Sequence, residues 1–161
     1  MKVLFLDIDG VLNSTRTAIA YKRYPFNFDG DMHMFDEVAI RLIQKLCEET
    51  SAVVCVSSTW RGHFTDQEIS EGLSIPVVGH TPLLYKNRGY EIQEWLDKHP
   101  DVTEWAIVDD NSDMLESQKD HFVQTDGREG LSYKNFCMLR DILNGKLGGY
   151  QHNALFWEDQ S

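Results

Sequence analysis

Five short apolar runs alternate with amphipathic stretches along this chain, and this alternation constrains its fold more than any other feature. The apolar runs cover residues 3–6, 52–56, 75–78, 105–108 and 121–124. Each has the length and the Val, Ile, Leu or Phe content of a buried strand. Apolar residues at helical spacing predict helices at about 36–49, 65–71, 90–98, 112–118 and 132–144. The order predicts an α/β fold with a three-layer, doubly wound parallel sheet of about five strands.

The chain length of 161 residues predicts one domain, over residues 1–161. Residues 14–35 directly follow the first strand and show neither strand nor helix periodicity clearly. We interpret them as a flap, or small cap, inserted near the carboxyl edge of the sheet, although an ordinary surface connection would have the same pattern. Residues 148–161 form a tail whose packing the sequence does not predict.

The charge and the cysteines exclude several classes of protein. The formal net charge of −11 disfavours nonspecific nucleic-acid binding, unless a bound cation or a local basic patch reverses the sign. Cys47, Cys55 and Cys137 have the spacing of neither a disulfide framework nor a zinc site. No apolar run is long enough for a membrane span or a signal peptide, so we expect a soluble, cytoplasmic protein without a membrane partner.

Polar side chains follow three of the predicted strands at the point where each strand ends. In a parallel sheet these ends share one edge, which would bring together Asp7, Asp9, Ser57, Ser58, Asp109, Asp110 and Asp113. Carboxylates so close repel one another, and a hard dication relieves the repulsion. Mg²⁺ suits such oxygen ligands, and Mn²⁺ suits them as well. The alternative is that the acidic residues only cap helices.

The spacing of the first acidic pair fits phosphoryl transfer. A carboxylate such as Asp7 can attack phosphorus and form an aspartyl phosphate. A second carboxyl group two residues on, Asp9, can protonate the leaving alcohol and then activate water. Gly10 allows a sharp backbone turn past the phosphate.

Four motifs in this order resemble the haloacid dehalogenase-like (HAD) superfamily of phosphohydrolases. They read FLDIDGVLN, VCVSSTWR, KNRGYEIQEWL and AIVDDNSDM. The phrases VVGHTP and QTDGREGL are similar to those of small HAD domains found alone in bacteria and phages and within RNA-repair proteins. The resemblance implies a Rossmann-like fold without a large cap domain and a metal-dependent phosphatase activity.

The resemblance also implies a role for each matching residue. Asp7 corresponds to the nucleophile and Asp9 to the general acid/base, and both would bind the metal, Asp9 through its backbone carbonyl. Ser57 corresponds to the hydroxyl that binds the phosphoryl group, with Ser58 as the alternative. Arg88 corresponds to the cation of the third motif, with Lys86 as its rival. The metal ligands of the fourth motif would be Asp109 with Asp110 or Asp113.

The substrate remains open between two kinds of phosphate ester. A nucleotide or another small phosphorylated molecule suits the acidic composition, whereas a nucleic-acid end, such as a polynucleotide 3′-phosphate, suits the resemblance to RNA-repair proteins. Arg61 would either contact a substrate phosphate or pair with a nearby acid. The oligomeric state is not predicted.

Two other classes of protein compete with a phosphatase. A receiver-like signalling domain has its acidic pair first and its acceptor aspartate on a later strand, and the order here is the reverse. A catalytically idle HAD-fold binding module is the second alternative, but all four motifs hold chemically competent residues.

Overall fold

All five strands of the sheet run parallel. The computed structural model describes residues 1–22 and 35–146. The strands in it are β1 (Lys2–Leu6), β2 (Val53–Val56), β3 (Val77–His80), β4 (Glu104–Asp109) and β5 (Phe122–Gln124). Their order across the sheet is β3-β2-β1-β4-β5. The predicted α/β fold with a parallel five-stranded sheet is therefore confirmed.

Within residues 1–22 and 35–146, five α-helices and two short 3-10 helices accompany the strands. The α-helices are α1 (Thr15–Tyr21), α2 (Glu37–Thr50), α3 (Asp66–Leu73), α4 (Arg88–Asp97) and α5 (Tyr133–Leu143). The 3-10 helices cover Thr59–Gly62 and Glu116–His121. The helix predicted at about 112–118 is wrong in position and type. The chain from 111 to 115 instead turns inward and buries Met114 against the sheet.

The first helix lies in the segment interpreted as a flap, and its periodicity was too short to detect. Ser14 begins it with a reciprocal cap. The Ser14 hydroxyl accepts from the Thr17 backbone N–H at 3.1 Å, and the Thr17 hydroxyl accepts from the Ser14 N–H at 2.8 Å. Such a cap satisfies N–H groups that the first turn leaves unpaired. Residues 23–34 and the tail at 148–161 lie outside the described residues, so the flap and the tail stay predictions.

Helices cover both faces of the sheet, and each face has its own apolar cluster. Leu4 and Leu6 of β1 pack with side chains of α2, α3 and α5. Val3 and Phe5, which point the opposite way, pack with Ile92 and Trp95 of α4. Because side chains alternate along a strand, Asp7 continues the row of Val3 and Phe5 and belongs to the α4 face.

The chain changes direction across the sheet between β1 and β4. From β1 it adds β2 and β3 on one side, and then returns to place β4 and β5 on the other. Ligands of open α/β sheets bind at such a switch point, beyond the carboxyl ends of the strands. In the described residues, no helix combines the length and the apolar character needed to cross a membrane.

Candidate active site

Strand register places four polar residues in one row at the carboxyl edge of the sheet. Leu6 is the partner of both Val56 and Val108, and Val56 is the partner of His80. The next residue on each strand therefore belongs to the same row, which reads Thr81, Ser57, Asp7 and Asp109. Backbone hydrogen bonds continue the pairing there, from Asp7 N–H to Val108 at 3.1 Å and from Thr81 N–H to Val56 at 3.0 Å. All four side chains point to the α4 face.

Three carboxyl groups of this edge form one cluster. One oxygen from each of Asp7, Asp109 and Asp110 lies within 4.8 Å of the others. Asp7 and Asp109 are buried, and Asp110 is half-buried. The predicted convergence of acidic side chains is thus observed for these three, whereas Asp9 and Asp113 lie outside the group.

Burial and mutual repulsion favour the protonated forms of the cluster. Burial raises the pKa of Asp7 to about 6, against the lowering effect of the nearby Arg88 guanidinium. Burial, and then the Asp7 carboxylate, raise the pKa of Asp109 well above its usual range. Burial also raises the pKa of Asp110. Since desolvation and like charge both disfavour ionisation, these carboxyl groups hold their protons to a higher pH than exposed aspartates do.

Arg88 is the cation that faces the cluster. Its Nη1 lies 3.7 Å from Asp7 Oδ1 and 4.0 Å from Asp109 Oδ2. It is the first residue of α4, and Asp113 holds that end of the helix. The Asp113 carboxylate accepts from the Arg88 N–H at 3.0 Å, and its carbonyl accepts from the Gly89 N–H at 3.0 Å. Asp113 therefore contacts the backbone of the cation, and its predicted role as a metal ligand stays a prediction.

Asp9 lies in the turn after β1, where two side chains hold one of its oxygens. Asp9 Oδ1 accepts from Asn13 Nδ2 at 2.8 Å and from Trp60 Nε1 at 3.0 Å. Asn13 also accepts from the Gly10 N–H at 2.9 Å, which closes the turn. These contacts orient the carboxyl group through one of its two oxygens.

Gly10 allows the turn to pass directly against Asp110. Its φ is +82°, and a Cβ atom there would lie 2.4 Å from the Asp110 Cγ and Oδ2 atoms. Only glycine fits such a left-handed backbone at this separation. The Thr125 hydroxyl donates to the Gly10 carbonyl at 2.7 Å and so fixes the turn to the end of β5.

Five buried side-chain atoms in the described part of the chain have no hydrogen-bond partner, and all belong to residues around this edge. They are Ser57 Oγ, Arg61 Nε, Thr81 Oγ1, Arg88 Nη1 and Asp109 Oδ2. An unsatisfied buried polar group costs roughly 1–3 kcal/mol, so their concentration here indicates a polar site whose partners are water or a ligand. Ser58 differs from Ser57, since its hydroxyl accepts from the Trp60 N–H at 3.3 Å and begins a 3-10 helix.

The two remaining predicted cations have their described contacts with residues outside the cluster. Arg61 Nη2 lies 2.6 Å from Glu91 Oε2, and Arg61 Nη1 donates to the Ser58 carbonyl at 2.8 Å. Of the two alternatives for Arg61, the described contacts are those of pairing with an acid. Lys86 is exposed, with its Nζ 6.0 Å from the centre of the Tyr90 ring. The structure thus brings Arg88, and not Lys86, to the carboxylates.

Sequence reasoning missed several residues of this region. Glu91 occurs in a helix, where most glutamates are exposed, so its burial gave no signal. Thr81 directly follows β3, but the predicted strand ended at residue 78 and the observed one ends at His80. The rule that found Ser57 and Asp7 would have found Thr81 with the correct strand end. Asn13 meets Asp9 within one local turn, whereas Trp60 reaches Asp9 only through the tertiary structure.

The residues present fit a divalent metal ion. Three carboxyl groups with raised pKa values are close enough together to bind one ion. In addition, the buried Asp109 Oδ2 has no hydrogen-bond partner in the described residues. Hard oxygen ligands of this kind are those that Mg²⁺ prefers. The described residues form no other group of His, Cys, Asp or Glu side chains with suitable spacing.

Comparison with known protein families agrees with this fold. A family model described as the HAD domain in Swiss Army Knife RNA repair proteins matches residues 3–136. No curated protein and no solved structure matches the chain. The matched region spans nearly all of the sheet, the carboxylate cluster and the first turn of α5. The chain therefore belongs to the HAD-domain family of the Swiss Army Knife RNA repair proteins, a family whose type of activity is that of a phosphohydrolase.

Proposed function

We propose that this chain is a magnesium-dependent phosphatase that hydrolyses phosphate monoesters through an aspartyl phosphate on Asp7. The observation that carries the proposal is the meeting of Asp7, Asp109 and Asp110 within 4.8 Å at the switch point, with the Arg88 guanidinium 3.7 Å from Asp7. The nucleophile, the metal ligands and a cation for the phosphoryl group are then all in one place. Membership of a HAD family supports the same chemistry.

In the first step, a carboxylate oxygen of Asp7 forms a bond to phosphorus and the bond from phosphorus to the ester oxygen breaks. The leaving alkoxide takes a proton from Asp9 and departs as an alcohol. Asn13 and Trp60 hold one Asp9 oxygen, at 2.8 and 3.0 Å, so the other oxygen can carry this proton. A general acid held in this way contributes typically 10²–10⁴-fold to a rate.

In the second step, the Asp9 carboxylate takes a proton from water and the water oxygen attacks phosphorus. The bond from phosphorus to the Asp7 oxygen breaks, which releases inorganic phosphate and restores the Asp7 carboxylate. Asp9 begins the next cycle protonated, so protons balance over the two steps. The same residue thus serves as acid and then as base.

Asp7, Asp109 and Asp110 would hold the magnesium ion, with the Asp9 carbonyl as a further ligand. When bound, the ion neutralises the carboxylates and stabilises negative charge on the phosphoryl oxygens. Arg88 stabilises the same charge from the α4 side, since its Nη1 lies 3.7 Å from Asp7 Oδ1 and has no hydrogen-bond partner in the described residues. The Ser57 hydroxyl, next to Asp7 in the row, is the donor on the β2 side.

The substrate class that we propose is a phosphorylated nucleotide or nucleic-acid end. The family model names RNA repair proteins, where a terminal phosphate is a natural target for a phosphatase. Small phosphate esters remain substrates in principle, because the chemistry needs only the phosphoryl group.

The test is magnesium-dependent phosphate release by the wild type and by Asp7→Asn, with Asp101→Asn as the matched control. Asp101 is exposed at the opposite edge of the sheet, so its substitution removes an equal charge far from the site. The substrates are 4-nitrophenyl phosphate, nucleoside monophosphates, and oligonucleotides with 3′- or 5′-phosphates. We expect Asp7→Asn to lose at least about a thousandfold in kcat, and Asp101→Asn to match the wild type.

The intermediate itself can be observed in Asp9→Asn. An aryl phosphate needs little help from an acid to leave, so the first step still occurs while the second is slowed. We expect a burst of nitrophenol and an acid-stable phosphoprotein that hydroxylamine cleaves. Turnover retained in Asp7→Asn would contradict the assigned nucleophile. No turnover by folded wild-type protein with Mg²⁺ or Mn²⁺ would favour the idle binding module.

A further inference from the structure

An exposed tyrosine near the start of α4 has a backbone conformation that disfavours its side chain. Tyr85 is 97% exposed, and its φ is +55°. A bulky residue in the left-handed region is an outlier. Relative to glycine, it lowers the equilibrium constant for folding by about tenfold or more. Neither packing nor folding explains it, because the ring contacts solvent. Outliers of this kind concentrate at binding sites.

Contacts on both sides of Tyr85 hold its loop in place. The Leu84 N–H donates to Glu91 Oε1 at 3.0 Å, and the Arg88 N–H donates to Asp113 Oδ2 at 3.0 Å. Glu91 is itself buried in its ion pair with Arg61. The ring is therefore displayed on a fixed segment, which lowers the entropy that a ligand would have to remove on binding.

The loop lies beside the candidate active site. Tyr85 precedes Arg88 by three residues, so their Cα atoms are at most about 11 Å apart. Arg88 Nη1 lies 3.7 Å from Asp7. With a terminal phosphate at Asp7, the nucleotides next to that phosphate are therefore the part of a strand that this loop can reach. Lys86, the next residue after Tyr85, adds an exposed cation to an acidic protein.

We propose that Tyr85 and Lys86 form a subsite for the strand next to the scissile phosphate. The Tyr85 ring stacks on a nucleobase of a single-stranded oligonucleotide, and Lys86 pairs with a backbone phosphate. This rests on the phosphatase function proposed above and selects nucleic-acid ends over small esters. Proteins that bind single strands without sequence preference use the same combination, in which bases stack on aromatic side chains and cations contact the phosphate backbone.

The kinetic test compares three substrates in the wild type, Tyr85→Ala, Tyr85→Phe and Lys86→Ala. The substrates are 4-nitrophenyl phosphate and a pentaribonucleotide with a 3′-phosphate, in parallel with a pentamer whose terminal base is absent. Lys98→Ala is the matched control, because Lys98 is an exposed lysine at the opposite end of α4. We expect Tyr85→Ala to raise KM for the oligonucleotide roughly 10-fold or more, and Lys86→Ala to raise it less.

The other values should remain at the wild-type level. Tyr85→Phe keeps the ring and should keep the oligonucleotide KM. All variants should hydrolyse 4-nitrophenyl phosphate as the wild type does, since this ester has no base. For the pentamer without a terminal base, the wild type and Tyr85→Ala should have the same KM. That KM should equal the one that Tyr85→Ala has for the complete pentamer. If Tyr85 had only a structural role, Tyr85→Ala would instead impair the hydrolysis of the aryl phosphate and of the oligonucleotide to the same extent.

A stability measurement shows whether the Tyr85 side chain strains the folded state or stabilises it. Tyr85→Gly adopts φ of +55° without penalty, so we expect its Tm to equal or exceed that of the wild type while its oligonucleotide KM rises. A lower Tm in Tyr85→Gly would assign the ring to folding and overturn the subsite.

Binding keeps this inference distinct from the phosphatase function. Anisotropy of a labelled 3′-phosphorylated pentamer is measured with wild type, Tyr85→Ala and Lys98→Ala in Mg²⁺. Hydrolysis of the aryl phosphate with an unchanged oligonucleotide KM in Tyr85→Ala would overturn the subsite and leave the phosphatase standing. If nothing is hydrolysed, the phosphatase fails, and equal binding by wild type and Tyr85→Ala would overturn the subsite as well.

Discussion

Arg61 and Glu91 form a buried ion pair that joins the loop after β2 to the first turns of α4. Arg61 Nη2 and Glu91 Oε2 are 2.6 Å apart, and the two side chains are 3% and 5% exposed. Arg61 also donates to the Ser58 carbonyl at 2.8 Å, and Glu91 accepts from the Leu84 N–H at 3.0 Å. The pair thus links the segments that carry Ser57 and Arg88.

Removal of one partner of this pair should destabilise the protein strongly. In Glu91→Gln the buried Arg61 charge loses its counter-ion, and we expect the free energy of unfolding to fall by about 3–5 kcal/mol. The matched control is Glu94→Gln, because Glu94 pairs with Lys98 at 2.7 Å on the exposed side of the same helix. That control should lose no more than about 1 kcal/mol in urea denaturation. Equal losses would show that burial of the pair is unimportant.

Gly10→Ala should disrupt both folding and metal binding. Its methyl group would lie 2.4 Å from the Asp110 carboxyl group, on a backbone with φ of +82°. We expect a loss of about 1–3 kcal/mol in stability and a weaker Mg²⁺ affinity by calorimetry. Gly62→Ala is the control, since a Cβ atom there has no heavy atom within 4 Å. Normal Mg²⁺ affinity in Gly10→Ala would contradict the close approach.

Arg88 and Lys86 should differ sharply in their effect on the hydrolysis of 4-nitrophenyl phosphate. Arg88 faces Asp7 and Asp109 at 3.7 and 4.0 Å, whereas Lys86 is exposed. We expect Arg88→Gln to lower kcat by about 10²–10³-fold, because it removes a donor aimed at the transferring group. Lys86→Gln should retain wild-type kcat for this ester. The reverse result would assign the cation of the third motif to Lys86.

Without metal, the charge on Asp7 should make stability fall as pH rises. Burial raises the folded-state pKa of Asp7 from 3.8 to about 6, so between these values the folded state binds more protons than the unfolded state. The contribution of Asp7 is therefore most favourable below about pH 4, declines up to about pH 6 and is constant above. A shift of this size corresponds to roughly 3 kcal/mol.

The measurement is urea denaturation of wild type and Asp7→Asn in EDTA, from pH 4 to 7.5. The difference between the two proteins isolates Asp7 from the other carboxylates. We expect Asp7→Asn to become relatively more stable as pH rises from 4 to about 6, and the difference to be constant above that. Saturating Mg²⁺ should reverse the order, because binding to the folded wild type stabilises it by mass action. A constant difference across the range would contradict the raised pKa.

The order of elements and the identity of the acidic residues followed from local sequence. Short Val- and Ile-rich runs are compatible with a buried strand and with little else, and helices with apolar stripes can only cover such a sheet. The polar residue after each strand then predicted Asp7, Ser57 and Asp109 at one edge, because parallel strands end together. These signals depend only on residues a few positions apart, so they can be recognised in the sequence without a structure.

The contacts that organise the site depend on residues far apart in the chain. The Trp60 side chain reaches Asp9 across 51 positions, and Arg61 reaches Glu91 across 30. Arg88 rather than Lys86 meets the carboxylates because Asp113 holds the first N–H of α4. Thr81 joins the row only through the register of β3 on β2. Sequence alone determined which chemistry the edge of the sheet carries, whereas packing and register decided which side chains meet there, because these arise only when the strands and α4 are assembled.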